Sequence, residues 1–117
     1  MGINSTEVSY QFGQLGSVYT TASSDAIVPP TNKVFVAITM LGDTVFDSSS
    51  GLVSTEPTKY INTETAANDL GAGSETTDQG SGGQVVDSVS FPLGVTIYGR
   101  WNEIDVNSGS IIAYIGD

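Results

Sequence analysis

Apolar and polar residues alternate along much of this chain with a period of two, the spacing of strands that bury one face and expose the other. Val8, Tyr10 and Phe12 alternate with Glu7, Ser9 and Gln11. After the Gly13 to Gly16 punctuation, Leu15, Val18 and Tyr19 resume an extended run, which predicts one or two strands. Pro29-Pro30 marks residues 22–32 as a loop, because it imposes extended geometry and removes two backbone donors. Lys33 to Leu41, KVFVAITML, is apolar on both faces and rich in β-branched residues, as expected of a central strand covered on two sides. Gly42-Asp43 breaks it, Thr44 to Phe46 is a short strand, and Asp47 to Gly51, DSSSG, predicts a turn.

The stretch 52–83 has a different composition. It carries Glu56, Glu64, Asp69, Glu75 and Asp78 with few large apolar residues, and GAGSETTDQGSGG from Gly71 to Gly83 is of low complexity, so it is expected to be a long loop excursion. Glu64 to Leu70, ETAANDL, predicts no more than one helical turn, capped by Thr63. Alternation returns from Gln84 to Asp117 and reads as an antiparallel meander, with strands over Val85 to Phe91, Val95 to Trp101, Ile104 to Val106 and Ser110 to Ile115. Pro92-Leu93-Gly94 and Asn107-Ser108-Gly109 supply its turns. Within it Val95, Ile97, Gly99 and Trp101 share one face and Thr96, Tyr98 and Arg100 the other. Val95, Ile97, Trp101, Ile104, Ile112 and Tyr114 form the expected core, with Ile111-Ile112 leaving the facing of the last strand open. A chain that closes on a packed strand is expected to fit against something. The whole predicts one all-β domain over 1–117, a small antiparallel β-sandwich of jelly-roll type or a barrel, with a long acidic loop rich in Gly, Ser and Thr.

Composition narrows the possibilities. Of 117 residues 38% are hydrophobic, roughly a quarter are Ser or Thr, and 14 are Gly, so the core is thin and oligomerisation is the expected supplement. There is no cysteine for a disulfide, and without histidine or thiolate an ordinary zinc site is excluded. Three basic residues, Lys33, Lys59 and Arg100, face 13 acidic ones for a net charge of -10, which disfavours nucleic acid and anionic membranes as partners. No apolar run approaches the ~20 residues of a membrane span, and the N-terminus shows no signal peptide. Gly2 and Thr6 match the loose N-myristoylation pattern, but no polybasic segment accompanies them.

Little in the chain suggests reactive chemistry. Glu103 and Asp105 are two residues apart and so are expected on one strand face, where a solvated surface accounts for them as well as a glycosidase pair does. Nucleophilic catalysis lacks a histidine base, and the glycines of 71–83 lack the Gly-Lys-Ser/Thr ending of a phosphate loop. The chain therefore reads as a non-enzyme with no cofactor and no small-molecule substrate. Calcium could take oxygen ligands from Asp43, Asp47 and the carboxylates of 64–78, although no EF-hand spacing occurs. Trp101, Tyr98, Tyr114, Tyr10 and Tyr60 offer a sugar platform, against which stands the reading of Trp101 as a core anchor. Tyr98 and Arg100 on the opposite face suit an interface, and Arg100, the only arginine, is expected to be paired.

Phe91 to Gly116, FPLGVTIYGRWNEIDVNSGSIIAYIG, resembles the ending of small structural proteins of tailed bacteriophages, notably those of marine and cyanobacterial phages. There a strand like TIYGRW is followed by a turn and a closing strand like IIAYIG. The resemblance spans under a quarter of the chain and its motif concerns packing. It implies a virion component made in the host cytoplasm: a head decoration or cement protein, set as a homotrimer on the outer capsid between capsomers, with the major capsid protein and its own copies as partners. A tail, neck or glycan-binding host-recognition module is the alternative. On this reading Ile3 to Phe12 is an arm that contacts the shell, with Val8, Tyr10 and Phe12 as its interface residues alongside Tyr98 and Arg100.

Overall fold

The computed structural model describes residues 15–56, 59–63 and 84–117. The expected arm over 1–12, the myristoylation pattern, the helical turn at 64–70 and the Gly-rich stretch lie outside the described residues. What is described is all-β, and every strand pair is antiparallel. The strands are β1 (Ser17–Thr21), β2 (Val34–Met40), β3 (Val45–Phe46), β4 (Leu52–Ser54), β5 (Thr96–Ile104), β6 (Val106–Ser108) and β7 (Ser110–Gly116). They form a five-stranded sheet in the order β1-β7-β2-β5-β4 and a two-stranded sheet of β3 and β6, in a sandwich-like arrangement.

The apolar segment β2 takes the middle of the larger sheet, as its composition predicts. It pairs Ile38 with Ala113 of β7 on one side and with Ile97 of β5 on the other. The C-terminal third is consequently not a meander. The most apolar strand separates β5 from β7, while β6 leaves them to pair with β3. Asn107 and Ser108 are strand residues, and the reversal falls on Gly109, whose φ of +96 and whose Cα, set against Asp43, exclude any side chain: a Cβ there would lie 2.4 Å from the Asp43 carbonyl oxygen.

Residues 85–91 form no strand despite their alternation. Asp87-Ser88 makes a turn closed by Val89 N–H donating to the Val86 carbonyl, with Ser88 at φ +60, and only Phe91 pairs, in a bridge with Thr44. The excursion expected from Leu52 starts with a strand instead. Beside β4, residues 61–63 return to the sheet: Leu52 N–H donates to Thr63 Oγ1 at 2.9 Å and Ser54 N–H to Asn62 Oδ1 at 3.0 Å. Both side chains are fully buried, so they satisfy the ladder groups of an edge that no strand covers among the described residues.

Between the sheets Phe35, Ile38, Met40, Trp101, Ile104, Ile111, Ala113 and Ile115 meet Phe46 and Val106, with Ile27, Ile61, Val86 and Phe91 packed around them. Trp101 is the expected anchor, wholly buried, its Nε1–H donating to the Ile61 carbonyl at 2.8 Å. The rings of Phe46 and Phe91 meet edge to face at 5.7 Å. In β7 the inward residues are Ile111, Ala113 and Ile115, so the placement of Ile112 and Tyr114 in the core is corrected. The small Ala113 is what lets β7 lie beside the inward Ile38, and this selects one of two parities that look alike in the sequence.

Candidate functional site

The second face of the five-stranded sheet is the most distinctive surface among the described residues. Strand register sets its content. Tyr19 of β1 stands opposite Ile112 of β7, which stands opposite Thr39 of β2 and then Thr96 of β5. One step along, Ser17, Tyr114, Ala37 and Tyr98 make a second file. Neither file contains a charge. Tyr19 and Tyr98 are 63% and 64% exposed, whereas Ala37, between Tyr114 and Tyr98 in register, is buried. Thr39 and Thr96 join their hydroxyls at 2.8 Å across the face.

Bulges extend this apolar surface. Phe35 faces Ile115 and Ala37 faces Tyr114, so β2 carries one residue more than its partner, and Val36 is the extra one. Its methyls lie over Gly116, where a Cβ would sit 2.5 Å from Cγ1. The bulge brings Val36 and Ala37 to the same side and turns Phe35 into the core beside Trp101. The central strand is thus apolar on both faces as its sequence predicts. Among the described residues only the inner face is covered by the second sheet.

Basic groups are spent within the chain. Arg100 is paired, as expected, donating from a guanidinium N–H to the Asp117 carbonyl at 2.8 Å. Lys33 forms an ion pair with the Asp117 carboxylate, and Lys59 lies 5.9 Å from the centre of the Tyr60 ring. These contacts gather at the end of the sheet and leave its two central files neutral.

Carboxylates lie elsewhere. Asp43 Oδ1 accepts the Leu93 N–H at 3.1 Å, tying the 92–94 turn to the end of β2, and Asp47 Oδ1 accepts the Ser49 N–H at 3.0 Å, closing a local turn. Asp105 interrupts the chain between β5 and β6, so it does not share a strand face with Glu103, which stands opposite Val53 on β5. Burial, reinforced by the charges of Asp47 and Asp25, pushes the Asp105 carboxyl above its ordinary value. Among the described residues no three acidic side chains converge to hold a metal ion, and Glu64, Asp69, Glu75 and Asp78 lie outside them.

Of the residues singled out from the sequence, Tyr98 sits on the neutral face and Arg100 at its end, while Val8, Tyr10 and Phe12 lie outside the described residues. The sugar platform does not assemble as expected, since Trp101 is in the core. Tyr19, Ile112 and Val36 were not predicted for this face. The period of two in the run from Ser17 sets Tyr19 on the face opposite Val18 and Thr20, but the bulge that turns Val36 to this side has no signal in the sequence. Comparison of the chain with protein-family models, with curated proteins and with solved structures gives no match.

Proposed function

We propose that this protein is a non-enzymatic structural subunit that works by surface contact, and that its setting is a phage particle, where it decorates and cements the head between capsomers. The observation that carries the contact reading is the pair of charge-free files on the outer face of the large sheet, with Tyr19 and Tyr98 exposed on a chain of net charge -10. A strongly acidic protein meets another acidic surface at least cost through a patch without carboxylates. The virion setting is supported by the resemblance of Phe91 to Gly116 to phage structural proteins. A glycan-binding module is disfavoured because this face sets Ser and Thr beside its tyrosines where sugar recognition calls for Asp or Asn.

The test is co-sedimentation with purified phage heads that lack the protein. The wild-type chain is expected to pellet with them, and Tyr98→Asp, which alters an exposed side chain and should keep an unchanged circular dichroism spectrum, should weaken binding about tenfold or more, a change of ~1.4 kcal/mol. Undiminished binding of Tyr98→Asp refutes the assignment of the face. Failure of the wild-type chain to bind heads, with a positive glycan array, replaces the head-decoration reading with host recognition.

A further inference from the structure

The two edges of the five-stranded sheet are treated differently. At β4 the ladder groups are satisfied by the buried side chains of Asn62 and Thr63. At β1 no strand among the described residues pairs with the other side. The hydrogen-bond phase there is set by two contacts: Ile115 N–H donates to the Gly16 carbonyl and Ala22 N–H to that of Gly109. Even-numbered residues from 16 to 22 therefore point their backbone groups at β7, and Ser17, Tyr19 and Thr21 point theirs outward. The strand SVYTT has no charge, no proline and no bulge against β7, the devices that ordinarily blunt an edge.

We propose that this edge pairs with the same edge of a second copy, antiparallel about a two-fold axis at Tyr19, joining two five-stranded sheets into one of ten strands. The pattern is self-complementary. Tyr19 N–H and C=O meet their counterparts on the opposing Tyr19, and each Thr21 N–H meets a Ser17 carbonyl; the Thr21 carbonyl already accepts from Ser24 N–H at 3.1 Å. Charge favours a like partner at this place above others. Two chains of net charge -10 repel, and an isologous contact sets the residues nearest its axis beside their own copies, so it tolerates only a surface free of carboxylates. β1 and the adjoining files of β7 and β2 are such a surface, and pairing carries the neutral face across the joint, with the two Tyr19 rings side by side. A twofold edge closes at two copies, in place of the three that the phage resemblance implies.

The inference stands on the edge and not on the virion reading, and one experiment on the full chain separates them. Sedimentation equilibrium should give about twice the 12.1 kDa of the chain. Tyr19→Lys places two ammonium groups on residues about 5.5 Å apart at Cα, and should yield a folded monomer with an unchanged circular dichroism spectrum. Because the chain has no cysteine, Tyr19→Cys introduces a single thiol that should form a disulfide-linked dimer on mild oxidation, while Tyr98→Cys, equally exposed, should stay monomeric. A monomeric wild-type chain overturns the proposal, as does a dimer that Tyr19→Lys leaves intact. A monomer that dimerises only after removal of residues 1–12 assigns the edge to that segment instead. A wild-type chain that stays monomeric yet binds heads would uphold the virion reading alone, and a dimer that ignores heads would uphold the edge alone.

Discussion

Gly99 offers the sharpest test of how this core is built. It lies two residues before Trp101 on the same face of β5, and a Cβ built on it would stand 2.7 Å from Cζ2 and 2.9 Å from Cη2 of the indole. Ordinary contact begins at 3.4 Å, so Gly99→Ala requires the ring to retreat by about 0.7 Å. The ring is wholly buried and its Nε1–H is held by the Ile61 carbonyl at 2.8 Å. Overpacking of this kind costs about 1–3 kcal/mol, and stretching the indole hydrogen bond adds to it. Against that stands a gain of about 0.5–1 kcal/mol from replacing a strand glycine. We expect a net loss of about 1–2 kcal/mol in urea unfolding followed by far-ultraviolet circular dichroism. In a Trp101→Leu background the obstacle is gone, and the same substitution should be neutral or stabilising by up to about 1 kcal/mol. The resulting coupling of about 2 kcal/mol is of the size found between touching residues. Equal costs in the two backgrounds, within about 0.5 kcal/mol, would refute the claim that the indole occupies the space above Gly99.

Two further outcomes are expected away from that site. Asn62→Ala leaves the Ser54 N–H and the Tyr60 carbonyl without the side-chain partners they now have at 3.0 and 3.1 Å, and should cost about 1–3 kcal/mol, with faster amide exchange at Ser54 as the local readout. Asp105 binds its proton more tightly in the folded than in the unfolded chain, so its contribution to stability is present below the ordinary value of 3.8 and is lost as pH rises through the raised folded value. Asp105→Asn should therefore be more stable than wild type at neutral pH by thermal melting, and the difference should vanish as the pH falls to the ordinary value; a difference that is constant with pH would contradict this.

What the sequence determined by itself is the class of structure and the identity of its centre. Period-two alternation, frequent turns and the doubly apolar KVFVAITML segment point to a small antiparallel all-β domain with β2 in the middle, and the acidic composition sets a charge that repels other anionic surfaces. Trp101 was legible as core because it shares a face with Ile97. The tertiary structure decided the rest, because alternation is local and pairing is not. The run from Gln84 looks like a meander, yet β2 slots between β5 and β7, since the most apolar strand has most to bury. Ile111-Ile112 fits either parity, and only the fit of Ala113 beside Ile38 chooses. Residues 85–91 alternate like a strand but turn at Ser88. The neutral files of the outer face were half visible, through Tyr98; the rest depends on a bulge at Val36 and on a cross-strand register that sets Ile112 beside Thr39 and Tyr19, 73 and 93 positions away in the chain, only once the sheet has formed.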